Sequence, residues 1–298
     1  MGNIKKIILT IDIDNDFTTV PLENSNTLEW DGLTKGLPIA LSEFNRFAVK
    51  KNIVLSITIF CRADWQVEKL MGDAAWVFDK TTEVLSSNSY KNLKIDLQWH
   101  PHLYENRNNQ WKLASSGNSQ LLQLEDIFNK LRISGHHITC SRIGECFFND
   151  EILKKLIDLN LKVDSTAFPG RHLGHTDWSL APREAYFPSP NNFYEKVEKS
   201  PILEVPFTMI PIAAPYETEI KDRYLNLIFD PKYVTEELKS AEDHFFVTIL
   251  HPFEILTLDR QDKHQLFGPV TSIFENLETI FSHQGISSIF LKDIAIYE

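Results

Sequence analysis

The sequence predicts a parallel α/β barrel. Three observations carry this reading: short apolar runs recur along the 298 residues, helical segments lie between several of them, and reactive polar residues gather where runs end. An open doubly wound sheet is the competing arrangement.

Taken in order, the strand-like runs are Lys6–Asp12, Ile53–Phe60, Leu93–Trp99, His137–Arg142, Leu161–Asp164, Ile202–Phe207, Phe245–Leu250 and Ile286–Leu291. Each is apolar or β-branched, as a strand buried between layers requires. Helical spacing appears at Leu37–Lys51 and at Ser119–Ile133, where Leu121, Leu122, Leu124, Ile127, Phe128 and Leu131 form one stripe. Asn149–Leu159 opens on a capping sequence, Asn149-Asp150-Glu151, ahead of Ile152, Leu153, Leu156 and Ile157. Tyr233–Ala241 and Val270–Phe281 complete the helices. Pro169–Ser200 breaks the rhythm with Pro, aromatic and polar residues, and a long loop of that kind is usually functional. No linker divides the chain, so residues 1–298 are expected to form one domain.

Composition narrows the partners. A net charge of −11 argues against a general phosphate-backbone binder and leaves a neutral or lightly charged sugar open. The start, MGNIKKIILTID, reaches Asp12 too early for a signal peptide and lacks the hydroxyl residue of a myristoylation site. No apolar run has membrane-spanning length, and Cys61, Cys140 and Cys146 suit a reducing compartment, so a cytoplasmic protein is expected. Glycine-rich phosphate loops and a GxSxG nucleophile elbow are absent. Cys140 and Cys146 flank Arg142 without an evident base and read as structural thiols.

The strand ends carry the chemistry. The first run ends at Asp12 and Asp14, the third at His100-Pro101-His102, the fourth at Arg142, the fifth at Asp164 and the seventh at His251. In parallel α/β folds, the carboxyl ends of the strands build the site. Alternation by two puts Asp12 and Asp14 on one face and His100 and His102 on another. Two histidines and one aspartate around a divalent cation match the donor set of catalytic zinc. An EF-hand reading of Asp12-x-Asp14-x-Asp16 fails, because no glycine follows at the required position and the preceding run is a strand. Asp16 is left as a solvated loop residue.

Read together, TIDID, LQWHPHLY, SRIGECFFNDEILKKLIDLNLKVDSTAFPG, DWSLAPREAYFPSP, ILEVPFTMIP, RYLNLIF and ILHPFE follow a known order. The sequence resembles the NodB-type polysaccharide deacetylases, carbohydrate esterase family 4, in a divergent branch associated with surface-polysaccharide or O-antigen synthesis. The resemblance spans Thr10 to the strand around Phe290. It implies a deformed (β/α) barrel of about seven parallel strands and a hydrolase that removes an N-acetyl group from a sugar. N-formyl and O-acetyl groups are the lesser options. It implies Asp12 as general base, Asp14 with His100 and His102 as metal ligands, and His251 as the acid that protonates the departing amine. It implies Arg142 as the partner of Asp12 and Asp164 as the carboxylate that orients His251, with Trp178 packed beside that histidine. The cofactor is expected to be zinc, and the substrate an N-acetylated sugar, nucleotide- or lipid-linked. Arg171, Trp178, Tyr186 and Phe187 are the expected sugar contacts in the aromatic loop, with a packed seal as the alternative.

One motif departs from the family. Its ligand histidines are usually separated by three residues, which places Gln98 opposite the first ligand when His102 is matched to the second. Either His100 and His102 both reach the cation, or one ligand is missing and the barrel only binds carbohydrate or a partner enzyme. An amidohydrolase is a further option, but its paired histidines would sit on the first strand rather than the third.

Overall fold

The computed structural model describes residues 6–16, 28–114, 117–234, 245–256, 266–282 and 285–296. Seven parallel strands lie along one curled path: β1 (Lys6–Ile13), β2 (Leu55–Arg62), β3 (Leu93–His100), β4 (Cys140–Ser141), β5 (Val163–Asp164), β6 (Leu203–Glu204) and β7 (Phe245–Val247). Their spatial order is β6-β5-β4-β3-β2-β1-β7, and a short strand β8 (Ser287–Ser288) adds to the base of β1. The barrel expectation holds, and the doubly wound alternative does not. Between β6 and β7 the sheet is open, and Thr208 bridges the gap by accepting from the Val247 amide through its hydroxyl at 2.8 Å.

Alternation along β1 explains how the site is placed. Ile7, Leu9, Ile11 and Ile13 join the large core between sheet and helices, while Ile8 joins a smaller core inside the barrel. Thr10, Asp12 and Asp14 share the inward face with Ile8 and are buried. Helix α1 (Leu37–Lys51) covers the outside with Leu37, Ala40, Leu41, Phe44, Phe47 and Ala48, an i, i+3, i+4 stripe. Each buried Phe of this kind contributes about 1.5–3 kcal/mol. Asn52 ends the helix in the left-handed region (φ 53°).

Two helices, α2 (Trp65–Met71) and α3 (Trp76–Ser86), follow β2 where the sequence reading places none. The seven residues of α2 hide the helical period; the eleven of α3 do not, and its buried Val77, Phe78 and Thr81 share one face. Helices α4 (Gly117–Ile133), α5 (Asp150–Asp158), α6 (Pro252–Leu256) and α7 (Ser272–Ile280) follow the later strands. The Asn149 side chain caps α5 by accepting from the Ile152 amide at 2.9 Å. Most of the expected helix Tyr233–Ala241 lies outside the described residues. Three hairpins, Tyr104–Arg107 with Gln110–Leu113, Phe187–Ser189 with Asn192–Val197 and Met209–Ile212 with Lys221–Tyr224, decorate the barrel. The expected loop at Pro169–Ser200 therefore contains a hairpin.

Two segments hold the strand ends in place. Asp16, expected to be solvated, accepts from the Asp31 and Gly32 amides at 2.7 Å each and anchors the turn that starts α1. In that turn, a Cβ on Gly36 would lie 2.1 Å from the Pro252 carbonyl oxygen. Only glycine lets α1 approach the segment that carries His251 so closely.

Candidate metal and acid–base site

At the carboxyl ends of the strands lies a cavity of about 660 Å³, lined by Asp12, Asp14, His100, His102, Arg142 and His251 among others. β1 supplies Asp12 and leads into Asp14; β3 supplies His100 and leads into His102. Asp14 Oδ1 lies 2.8 Å from His102 Nε2 and 3.5 Å from His100 Nε2, and the two nitrogens are 3.2 Å apart. Ligand atoms bound at the usual zinc distances sit about 3.3 Å apart on a tetrahedral face. The triangle has that size. Asp14 Oδ1 is also buried without a hydrogen-bond partner, which is costly unless a cation receives its lone pair. These residues fit a divalent metal.

The surrounding contacts orient the ligands. His100 Nδ1 donates to the Arg142 carbonyl at 2.6 Å, which fixes Nε2 as the nitrogen that faces Asp14. The His102 amide donates to Asp64 Oδ2 at 3.3 Å, and its ring stacks on Tyr104. Asp64 also caps α2 through the Val67 amide and pairs with buried Arg62 at 2.6 Å. A Cβ on Gly144 would meet His102 Cδ2 at 2.3 Å, so this glycine makes room for the ring. Burial opposes ionisation of Asp14, but the charges of His102 and His100 outweigh it and hold the carboxyl well below the usual range. Burial pulls His100 down and Asp14 more than offsets it, so its pKa is raised.

Asp12 faces Arg142, whose Nη1 donates to Asp12 Oδ1 and to Thr10 Oγ1 at 2.7 Å each. Arg142 Nε and Nη2 donate to Ser165, and the guanidinium lies between the Phe60 and Phe207 rings at 4.4 and 4.6 Å. This guanidinium, held by four hydrogen bonds, fixes the Asp12 carboxylate in one orientation.

His251 approaches from the opposite side, with Nε2 4.0 Å from Asp14 Oδ2. The carboxylate behind it is Glu254, not Asp164. Glu254 Oε1 lies 3.3 Å from His251 Nδ1, Oε2 accepts from the His251 amide at 3.0 Å, and Asn226 Nδ2 donates to both oxygens. Burial alone would lower the His251 pKa, but Glu254 outweighs it and raises the value to about 9.

The expectation for Asp164 is corrected on its contacts. It accepts from Ser141 Oγ at 2.5 Å and the Thr166 amide at 3.0 Å, one strand from Glu204 and outside the cavity lining. Trp178 is corrected too: it is buried against Phe148 and Phe193, donates Nε1 to the Cys146 carbonyl at 2.9 Å and does not line the cavity. The rings beside His251 are Tyr224 and Phe253. Tyr186 is likewise buried, with its hydroxyl on the Phe193 carbonyl, so neither side chain is placed to touch a sugar. Of the expected sugar contacts in the loop, Arg171 lines the cavity. Gln98 points down the barrel, donating to Asp96 and accepting from the Thr139 and Cys140 amides. Sequence reasoning missed the part Glu254 plays behind His251, and also Gly144 and the Arg62–Asp64 pair. The i, i+3 spacing of His251 and Glu254 at a helix start was the available signal for the first.

No family model and no curated protein matches the sequence. Solved structures do match the fold. A protein from Mycobacterium smegmatis assigned as a polysaccharide deacetylase superposes with a TM-score of 0.55 at 11% identity, over 100% of this chain and 91% of its own. A protein from Parabacteroides distasonis assigned as a glycoside hydrolase/deacetylase gives 0.56 at 11% identity, over 94% of this chain and 67% of its own. The chain therefore has the (β/α) barrel fold of the polysaccharide deacetylases.

Proposed function

We propose that the protein is a metal-dependent carbohydrate deacetylase, formed as one domain over residues 1–298, that acts on an N-acetylated sugar. The observation that carries this is the convergence of Asp14, His100 and His102, the Asp12–Arg142 pair and the His251–Glu254 pair on one cavity. A divalent cation on the three ligands supplies Lewis acidity toward the acyl carbonyl and makes water more acidic, and two imidazoles with one carboxylate suit zinc. Asp12, held by Arg142 through Oδ1, takes the proton of the attacking water on its other oxygen. The water oxygen bonds to the acyl carbon. His251, held by Glu254, gives its proton to the nitrogen as the carbon–nitrogen bond breaks. Acetate and the free amine are the products.

A surface-polysaccharide precursor, nucleotide- or lipid-linked on the cytoplasmic side, suits the cysteine usage. Among the described residues no helix is long and apolar enough to cross a membrane. The non-catalytic alternative drew on Gln98, and that amide is engaged elsewhere while His100 faces Asp14. Metal analysis of the purified protein, paired with acetate release from N-acetylated sugars, tests the reading. Undiminished turnover by a metal-free Asp14→Asn protein would sink it.

A further inference from the structure

The cavity contains three guanidinium groups, from Arg142, Arg171 and Arg223. Two are neutralised: Arg142 by Asp12 at 2.7 Å and Arg223 by Glu217 at 2.6 Å. Arg171 donates Nη1 to the Asp222 backbone carbonyl at 2.8 Å and packs over the Phe168 ring at 5.3 Å. The Asp222 carboxylate is engaged by Arg183 instead. Among the described residues no carboxylate forms an ion pair with Arg171. The carboxylates that line the cavity have other partners: Glu145 accepts from Tyr104, Glu254 from Asn226, Asp12 from Arg142, and Asp14 stands in the metal triangle.

The backbone under Arg171 is held. Gly170 takes a positive φ of 78°, its amide donates to the Trp178 carbonyl at 3.1 Å, and the Trp178 amide donates to the Arg171 carbonyl at 2.8 Å. Buried Trp178 thus anchors the loop that presents the guanidinium. A guanidinium on a fixed turn pays little ordering entropy when it meets a ligand. Its planar fork matches phosphate or carboxylate, and a neutral ligand that covered it would leave charged donors unpaired.

We propose that Arg171 binds an anionic group, phosphate or carboxylate, carried by the sugar substrate, and so sets the enzyme's preference for a charged over a neutral N-acetylated sugar. The proposal rests on reading this cavity as a sugar site. The chain's net charge of −11 gives anions no general attraction, so the preference has to come from this local group.

Calorimetric titration of the metal-loaded protein with N-acetylglucosamine, N-acetylglucosamine 1-phosphate and a glucuronate-containing N-acetylglucosamine disaccharide tests it. At least one charged probe should bind tighter than the neutral sugar by on the order of tenfold. That ratio should fall to near unity in Arg171→Gln and recover in part in Arg171→Lys. The probe that shows the preference identifies the group as phosphate or carboxylate. Equal affinity for charged and neutral probes, an undiminished ratio in Arg171→Gln, or no binding of any probe would each overturn the proposal. Acetate release from the same mixtures separates the two readings. Anion preference without acetate release would overturn the deacetylase reading alone, and turnover without anion preference would overturn this one alone.

Discussion

Two buried carboxylate clusters sit close together in this barrel, and only one has the features of a reactive centre. Asp14 with His100 and His102 faces the cavity, and Asp14 Oδ1 has no hydrogen-bond partner. Asp164 and Glu204, paired across β5 and β6, accept from Ser141, Thr166 and Ala167 and lie outside the cavity lining. Burial and the neighbouring Asp164 push the Glu204 carboxyl well above its ordinary range, so it keeps a proton that bonds the pair together. In the first cluster, opposite charges lower Asp14 despite its burial. Burial and like residue types are common to both. The difference is open valence: one cluster has lone pairs left over, and the other has used its own.

The largest expected effects break the first cluster. Asp14→Asn, His100→Ala and His102→Ala should each weaken metal binding by more than the roughly 100-fold that loss of an outer partner causes, as read by metal analysis after dialysis. If His100→Ala holds metal as well as the wild type, the triangle is not the site. Asp12→Asn should retain metal and lose turnover by on the order of 10²–10⁴, which separates the ligand from the base.

Gly144→Ala probes the same cluster sterically. The new methyl would overlap the His102 ring, 2.3 Å from Cδ2, and metal affinity should fall by roughly 10–100-fold with no ligand removed.

Glu254→Gln tests the pair behind His251. With Glu254 in place, His251 stays protonated as a proton donor until about pH 9 and loses that role as pH rises further. The variant should lower the His251 pKa by about 1–2 units, moving the alkaline limb of activity toward neutral. Imidazole NMR of the metal-free protein reads the same shift directly, and an unmoved resonance would remove Glu254 from the mechanism.

Glu204→Gln carries the smallest effect and the opposite sign. A carboxyl raised in the folded state stabilises below its unfolded pKa, and that contribution is lost as pH rises toward the folded value. The neutral amide avoids this loss, so thermal unfolding should occur a few degrees higher near pH 8, by about 1 kcal/mol or more. Metal content should not change. A Glu204→Gln protein that loses metal would show that the two clusters are coupled.

How much of this was legible varies by interaction range. The positions of all eight strand-like runs and of α1, α4, α5 and α7 follow from local periodicity, which a strand or a long helix writes directly into its residues. So does the inward face shared by Asp12 and Asp14, because alternation by two needs no knowledge of the rest of the chain. The approach of His100 and His102 to one carboxylate oxygen was open in the sequence and needed the space over Gly144. The seven residues of α2 span too few turns for a period to show, whereas α3, at eleven residues, was within reach of the same reading.

By itself the sequence determined a parallel barrel with reactive groups at its strand ends, since strand and long-helix signals are local and the strand ends converge wherever such strands run parallel. Only tertiary structure decided which carboxylate meets which imidazole. Asp164 and Glu254 are alike in chemistry, but the path of the sheet carries one to Ser141 and Glu204, while one helical turn carries the other to His251. Trp178, Tyr186 and Arg171 share one loop, yet packing buries the two aromatics and turns the cation to the cavity, because rings gain from leaving water and a guanidinium does not.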